Sequence, residues 1–240
     1  MRIDAHQHVW TEPLVAALAR RSAAPRLRRR DGAWRLEVAG EGPSTLPAAP
    51  EPLDRREAEL AEQRVDLALV ALSPALGAEG LPGEEASELL DAFAAGVREA
   101  PVRFRAWAAV PLAEAIDPTA VDHALATCAV GLCLPSGALA DPEGVARCEP
   151  LLARLARRDA PLFVHPGPSP WSPAAAPAAR APAWWPALTG YVASMNAAWH
   201  AWAAVGRAAH PSCACSSRCS RAARRCASSA WPPAGRPQRP

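Results

Sequence analysis

The sequence predicts an incomplete TIM-type (β/α) barrel, with about five of the eight parallel strands that close such a barrel. Three observations carry this reading. Short, continuously apolar runs alternate with amphipathic helical stretches along most of the 240 residues, the pattern of strands covered on both faces by crossover helices. The turn after the first run holds Trp10, Thr11, Glu12 and Pro13, not the glycine-rich loop that opens a doubly wound sheet. Histidines close the first and the fifth run, at the strand ends where barrels carry their chemistry.

Each element follows from its local pattern. Residues 3–10, IDAHQHVW, form the opening strand, and TEPLVAALARRS (11–22) a short helix with Pro13 in its first turn. RLRRRDGAWRLEVAG (26–40) alternates on both sides of Asp31-Gly32, a strong two-residue hairpin signal. The repeating unit then begins. Helix 53–65 leads into strand 66–73, helix 87–100 into strand 103–112, helix 118–128 into strand 129–135, and helix 145–159 into strand 161–166. Residues 167–186 are rich in proline and read either as a lid over the barrel mouth, with Trp171, Trp184 and Trp185 as walls, or as a surface excursion. Residues 187–209 read as one long helix with an apolar stripe.

Composition narrows the function classes. Half of the residues are hydrophobic and the net charge is only +2, enough apolar material for one large core and no basic surface for nucleic acid or a membrane. All 26 basic residues are arginine, a bias of genome composition more than of partner. With no apolar leader and no apolar stretch of membrane-spanning length, the expected location is the cytoplasm. The expected partners are a small-molecule substrate and further copies of the chain. Seven cysteines do not suggest a closed disulfide framework, and Cys128, Cys133 and Cys148 lie in apolar context where reduced, buried thiols are ordinary.

The chemistry concentrates in Asp4-Ala5-His6-Gln7-His8. Strand alternation puts Asp4, His6, His8 and Trp10 on one face and Ile3, Ala5, Gln7 and Val9 on the other. Two imidazoles at i and i+2 can grip one ion from a single rigid element, and zinc or a similar divalent metal favours that donor type. His165 in PLFVHPGP is the third candidate ligand. Asp4, deeper in the strand, is expected to support the ligands from behind, while Trp10 and Trp171 are candidates for substrate contact. His123, His200 and His210 are assigned to helix surfaces, packing and a helix end.

The segments IDAHQHVW and PLFVHPGP, with LDRREAELAEQRVDLALVALSP between them, resemble the amidohydrolase superfamily. The specific likeness is to the amidohydrolase-related branch that includes the aminocarboxymuconate-semialdehyde decarboxylases, and it covers about residues 1–210. It implies a metal-dependent hydrolase or non-oxidative decarboxylase of a small carboxylated or cyclic substrate, with His6, His8 and His165 holding a divalent metal, zinc by expectation. The superfamily completes its site with an aspartate ending the eighth strand and often a histidine ending the sixth, and this sequence offers neither. That omission implies an alternative, an inactive barrel fragment or weak metal binder.

From Ser212 the character changes, and residues 211–240 read as an irregular tail outside the barrel of residues 1–210. Cys213, Cys215, Cys219 and Cys226 lack the paired Cys-x2-Cys hooks of a structural zinc site. Shifting the frame by one base turns cysteine codons into aliphatic ones, so the tail reads as an out-of-frame, truncated sixth β/α unit, with a disordered basic tail as the alternative the composition allows. On this reading it contributes no strand.

Overall fold

The computed structural model describes residues 1–46, 50, 52–172, 182, 185–213 and 215–216. Its main sheet is parallel and curls into half a barrel. The strands are β1 (Ile3–Gln7), β5 (Leu67–Val70), β6 (Phe104–Ala108), β7 (Ala129–Pro135), β8 (Leu162–His165) and a two-residue β9 (Cys215–Ser216), hydrogen-bonded in that order. Between β1 and β5 a separate antiparallel sheet is inserted from β2 (Arg26–Arg30), β3 (Ala33–Glu37) and β4 (Ser44–Leu46). The β2–β3 turn is the predicted one. Asp31 and Gly32 have φ of 51° and 78°, the doubly left-handed turn that Asp-Gly adopts at least cost and that matches the twist of paired strands.

The helices cover the outer face of the sheet. They are α1 (Glu12–Arg20), α2 (Leu53–Glu62), α3 (Gly83–Arg98), α4 (Thr119–Thr127), α5 (Pro142–Arg147) and α6 (Glu149–Arg157). Residues 145–159, expected as one helix, divide between α5 and α6 at Cys148. Pro150 has no N–H to continue a helical ladder and starts a new first turn instead. Asp141 caps α5 by accepting the Gly144 N–H at 2.7 Å. The last helix runs as α7 (Trp185–Ala201), a π-helical stretch (Trp202–Gly206) and a final turn α8 (Arg207–Ala209). Ala198, Ala201 and Trp202 pack it onto the core, and His210 stacks on Trp202. His200 is exposed, not packed.

Strand alternation divides the core. Leu67, Leu69, Trp107, Val130, Cys133 and Phe163 form a cluster on the concave face. Their neighbours Ala68, Val70, Phe104 and Ala106 pack outward with Leu14, Leu18, Leu89 and Phe93 of the helices. Trp107 is fully buried, stacks on Phe163 at 5.1 Å and donates its indole N–H to the Ala5 carbonyl at 3.0 Å. It has room because position 131 is glycine. A Cβ there would stand 2.8 Å from the Trp107 ring and 2.2 Å from the Pro161 carbonyl oxygen.

The tail departs from expectation where it is described. Cys215 and Ser216 pair with Leu162 and Phe163 as a short parallel strand, so the segment after residue 210 does add to the sheet. The physical reason is that a reduced cysteine packs as a small hydrophobe. Cys213 belongs to a further buried cluster with Leu132, Leu162, Val164 and Trp202, and Cys215 packs against it; burial holds their thiols up at about 11 and about 12. Cys219 and Cys226 lie outside the described residues, as does Trp184. Among the described residues, no helix is long and apolar enough to cross a membrane.

Candidate metal centre

His6, His8 and His165 meet at the C-terminal end of the sheet, with one ring nitrogen of each within 4.8 Å of the others. His165 is the last residue of β8, His6 lies in β1, and His8 follows it directly. The Nε2 atoms of His6 and His8 are 3.0 Å apart, and those of His8 and His165 are 3.2 Å apart. His6 is the most exposed of the three and His165 is buried. Phe163 forms the floor, its ring meeting His6 edge-on at 5.2 Å and His165 at 5.9 Å.

The local geometry of β1 is not simple alternation. Asp4 pairs with Ala68 and Gln7 with Val70, so one extra residue bulges between them. Bulges next to functional sites re-aim side chains, and this one lets Ala5 join the concave cluster while the next residue, His6, reaches Phe163 on the same side. Asp4 is thereby displaced from the histidine face. Its carboxylate accepts the His6 backbone N–H at 3.2 Å and the Gln7 side-chain amide at 2.8 Å, and Gln7 in turn accepts from Arg56 of α2. Asp4 meets His6 through the backbone of the bulge, and its charge favours the protonated His6 ring against the effect of burial.

Backbone carbonyls support the rings instead. The Nδ1 of His8 lies 2.8 Å from the Ala71 oxygen, and the Nδ1 of His165 lies 2.8 Å from the Pro166 oxygen. A carbonyl can only accept, so each Nδ1 carries the proton and each neutral ring turns an Nε2 lone pair toward the centre. Residue types carry no trace of this in the sequence, because the partners are main-chain atoms of Ala71 and Pro166. Burial keeps the rings neutral. It lowers the proton affinity of His165 to about 4, offset in part by the Pro166 carbonyl, and lowers those of His8 and His6 as well.

Converging neutral imidazoles are the donor set of a divalent metal site. Zinc–nitrogen bonds of 2.0–2.1 Å in a tetrahedron put neighbouring nitrogens about 3.3 Å apart, close to the His6–His8 and His8–His165 separations of 3.0 and 3.2 Å. Among the described residues no carboxylate or thiol joins the cluster, so these would supply three nitrogen ligands to a metal held there.

The two candidate tryptophans are held by contacts of their own. Trp10 is half-buried against the helix-side core cluster. Trp171 donates its indole N–H to the Leu112 carbonyl at 2.7 Å, with the Arg147 guanidinium over its ring, so its polar edge is spent anchoring the loop after β8.

No protein-family profile matches the chain, and no curated protein matches it in sequence. Solved structures do match. An amidohydrolase II superposes with a TM-score of 0.63 at 18% identity, over 90% of this chain and 65% of its own. A 5-carboxyvanillate decarboxylase from Sphingomonas paucimobilis gives 0.57 at 19% identity, over 89% and 66%. An amidohydrolase from Mycobacterium avium subsp. paratuberculosis K-10 gives 0.56 at 18%, over 90% and 70%. The chain spans just under two thirds of the length of the first two. It has, in partial form, the barrel fold of the amidohydrolases, with three histidines converging at the C-terminal ends of the strands.

Proposed function

We propose that the chain is a metal-dependent enzyme of amidohydrolase type, hydrolysing or non-oxidatively decarboxylating a small carboxylated or cyclic substrate. The observation that carries this is the pair of lone pairs on His8 and His165, facing one another at 3.2 Å. Two neutral acceptors at that distance repel unless an electrophile sits between them, and a divalent cation, zinc by donor type, satisfies both.

The chain's own residues have definable tasks. Ala71 and Pro166 hold the protons on Nδ1 and fix the ring planes. His165, at the buried end, fixes the depth of the site, and His6 leaves its outer side open to a small molecule. A metal held there would polarise a substrate carbonyl or bring the acidity of a water toward neutrality. The solved neighbours include both amidohydrolases and a decarboxylase, which supports either outcome for the substrate.

A second reading rests on the same cluster. No described carboxylate joins the ring nitrogens, Asp4 reaching only the His6 backbone there, and a positioned general base is worth roughly 10²–10⁴ in rate. On that reading the chain binds metal and turns over little. Elemental analysis after zinc loading and dialysis, with assays on esters, lactones and aromatic carboxylates, separates the two. Zinc retained with turnover supports the enzyme, and zinc retained without turnover supports the binder. Equal zinc retention by a His6→Ala, His8→Ala variant overturns both.

A further inference from the structure

The carbonyl that orients His165 belongs to a peptide held from both sides. In the Pro166–Gly167 peptide the Pro166 oxygen accepts the His165 Nδ1–H at 2.8 Å, and the Gly167 N–H donates to the Ser136 Oγ at 3.3 Å. These two groups point in opposite directions across one planar unit, so a flip of the peptide breaks both bonds. Ser136 directly follows β7 and is fully buried. The next peptide is pinned as well, since the Gly167 carbonyl accepts the Gly137 N–H at 3.1 Å. Neither glycine has room for a side chain. A Cβ at Gly167 would stand 2.8 Å from the Cβ of Pro74, and one at Gly137 would stand 2.3 Å from the Ser169 nitrogen.

The hydroxyl protons can be followed outward from this peptide, because a serine has only one to give. Ser194 of α7 donates to the Tyr191 carbonyl at 3.1 Å, three residues back in its own helix. It therefore accepts from Ser136, whose Oγ lies 2.7 Å away. The Gly167 carbonyl, 3.4 Å from the same Oγ, already receives the Gly137 N–H. The bonds then run one way, from the Gly167 N–H to Ser136, from Ser136 to Ser194, and from Ser194 to Tyr191. Each link polarises the next, which makes the Pro166 carbonyl a better acceptor for His165. The Tyr191 phenol donates in turn to the Glu41 carboxylate, between β3 and β4.

We propose that Ser136 is a positioning residue of the metal centre: it fixes the peptide plane that sets the His165 tautomer, and through Ser194 it makes metal affinity depend on the seating of α7. This role rests on the metal reading of the three histidines. Without the Ser136 hydroxyl, the buried Gly167 N–H loses its acceptor, a costly state that the peptide escapes by turning. Turning takes the Pro166 carbonyl away from Nδ1 and frees the ring to carry its proton on Nε2, the atom a metal needs unprotonated. His8 is the internal control. Its Nδ1 is held by the Ala71 carbonyl, outside this chain of bonds.

The test reads imidazole nitrogen-15 shifts in the metal-free full chain at pH 8, beside zinc affinity by competition with a chromophoric chelator. In the unmodified chain His8 and His165 should both carry the proton on Nδ1. Ser136→Ala should move His165 toward the Nε2–H tautomer and leave His8 unchanged. It should also weaken zinc about tenfold, the lower end of what losing an outer support costs a metal site. Ser194→Ala should move His165 the same way by less. An unmoved His165 in Ser136→Ala overturns the proposal, as does full zinc affinity beside a shifted ring. A joint shift of His8 and His165 overturns it too, since general loosening moves both. If Ser136→Ala fails to fold by circular dichroism, Ser194→Ala decides by the same readings. A shifted His165 in a chain that never binds zinc supports the hold on the ring and overturns the metal reading alone.

Discussion

The Nε2 atoms of His8 and His165 lie 3.2 Å apart across 157 residues of sequence. Each ring is held by a main-chain carbonyl at 2.8 Å on its far side, so both lone pairs point at one place. A divalent ion bound there must therefore stabilise the folded chain. Ligand at a hundredfold excess over its Kd adds about 2.7 kcal/mol. Zinc should raise the melting temperature of the unmodified chain and leave that of His165→Ala unmoved, as read by thermal denaturation with and without the metal. An equal rise in both would remove His165 from the ligand set.

The same rings predict acid sensitivity in the metal-free protein. Burial depresses the proton affinity of His165 from 6.5 to about 4 and lowers those of His6 and His8. A depressed folded value means that the unfolded chain binds protons first. The stability from the neutral rings is thus fully present above pH 6.5 and is lost as the pH falls toward 4. His165 alone contributes at most about 3 kcal/mol by this route. Urea midpoints at pH 7 and pH 4.5 should differ, and the difference should shrink in His165→Asn.

Glu79 acts in the opposite direction. Its folded value is raised from 4.5 to about 7 by burial, so the stability from its protonated form is complete below pH 4.5 and is lost as pH rises through 7. Glu79→Gln removes a charge the fold cannot solvate. The variant should gain stability at pH 8, bounded above by about 3 kcal/mol, and gain little at pH 4.5. A variant less stable than the parent at pH 8 would show that the carboxylate has a partner.

Gly131 controls the floor of the metal centre from a distance. A methyl group there collides with Trp107 and the Pro161 carbonyl, and Trp107 stacks on Phe163, which meets His6 and His165. Gly131→Ala should cost about 1–3 kcal/mol, the usual penalty of overpacking a filled core. It should also weaken zinc binding, measured by competition with a chromophoric chelator. Loss of stability with full zinc affinity would show that the histidines hold their geometry without Phe163.

The sequence by itself determined the parallel β/α march, the Asp31-Gly32 hairpin and the three histidines at strand ends. Those features rest on local periodicity and on backbone preferences of single residues, which the chain carries wherever it folds. The tertiary structure alone decided the rest. The β1 bulge, set by pairing with β5, sent Asp4 to the outer side and His6 inward. The carbonyls of Ala71 and Pro166 fixed the tautomers, and a main-chain atom is the same whatever the side chain. Cys215 and Ser216 joined the sheet because β8 offered an open edge and burial suits a thiol, although the segment has no strand period. Glu79 escaped notice as one acid in a short turn. Only the approach of loops distant in the chain buried it without a partner, since desolvation depends on what packs around a group and not on its neighbours in sequence.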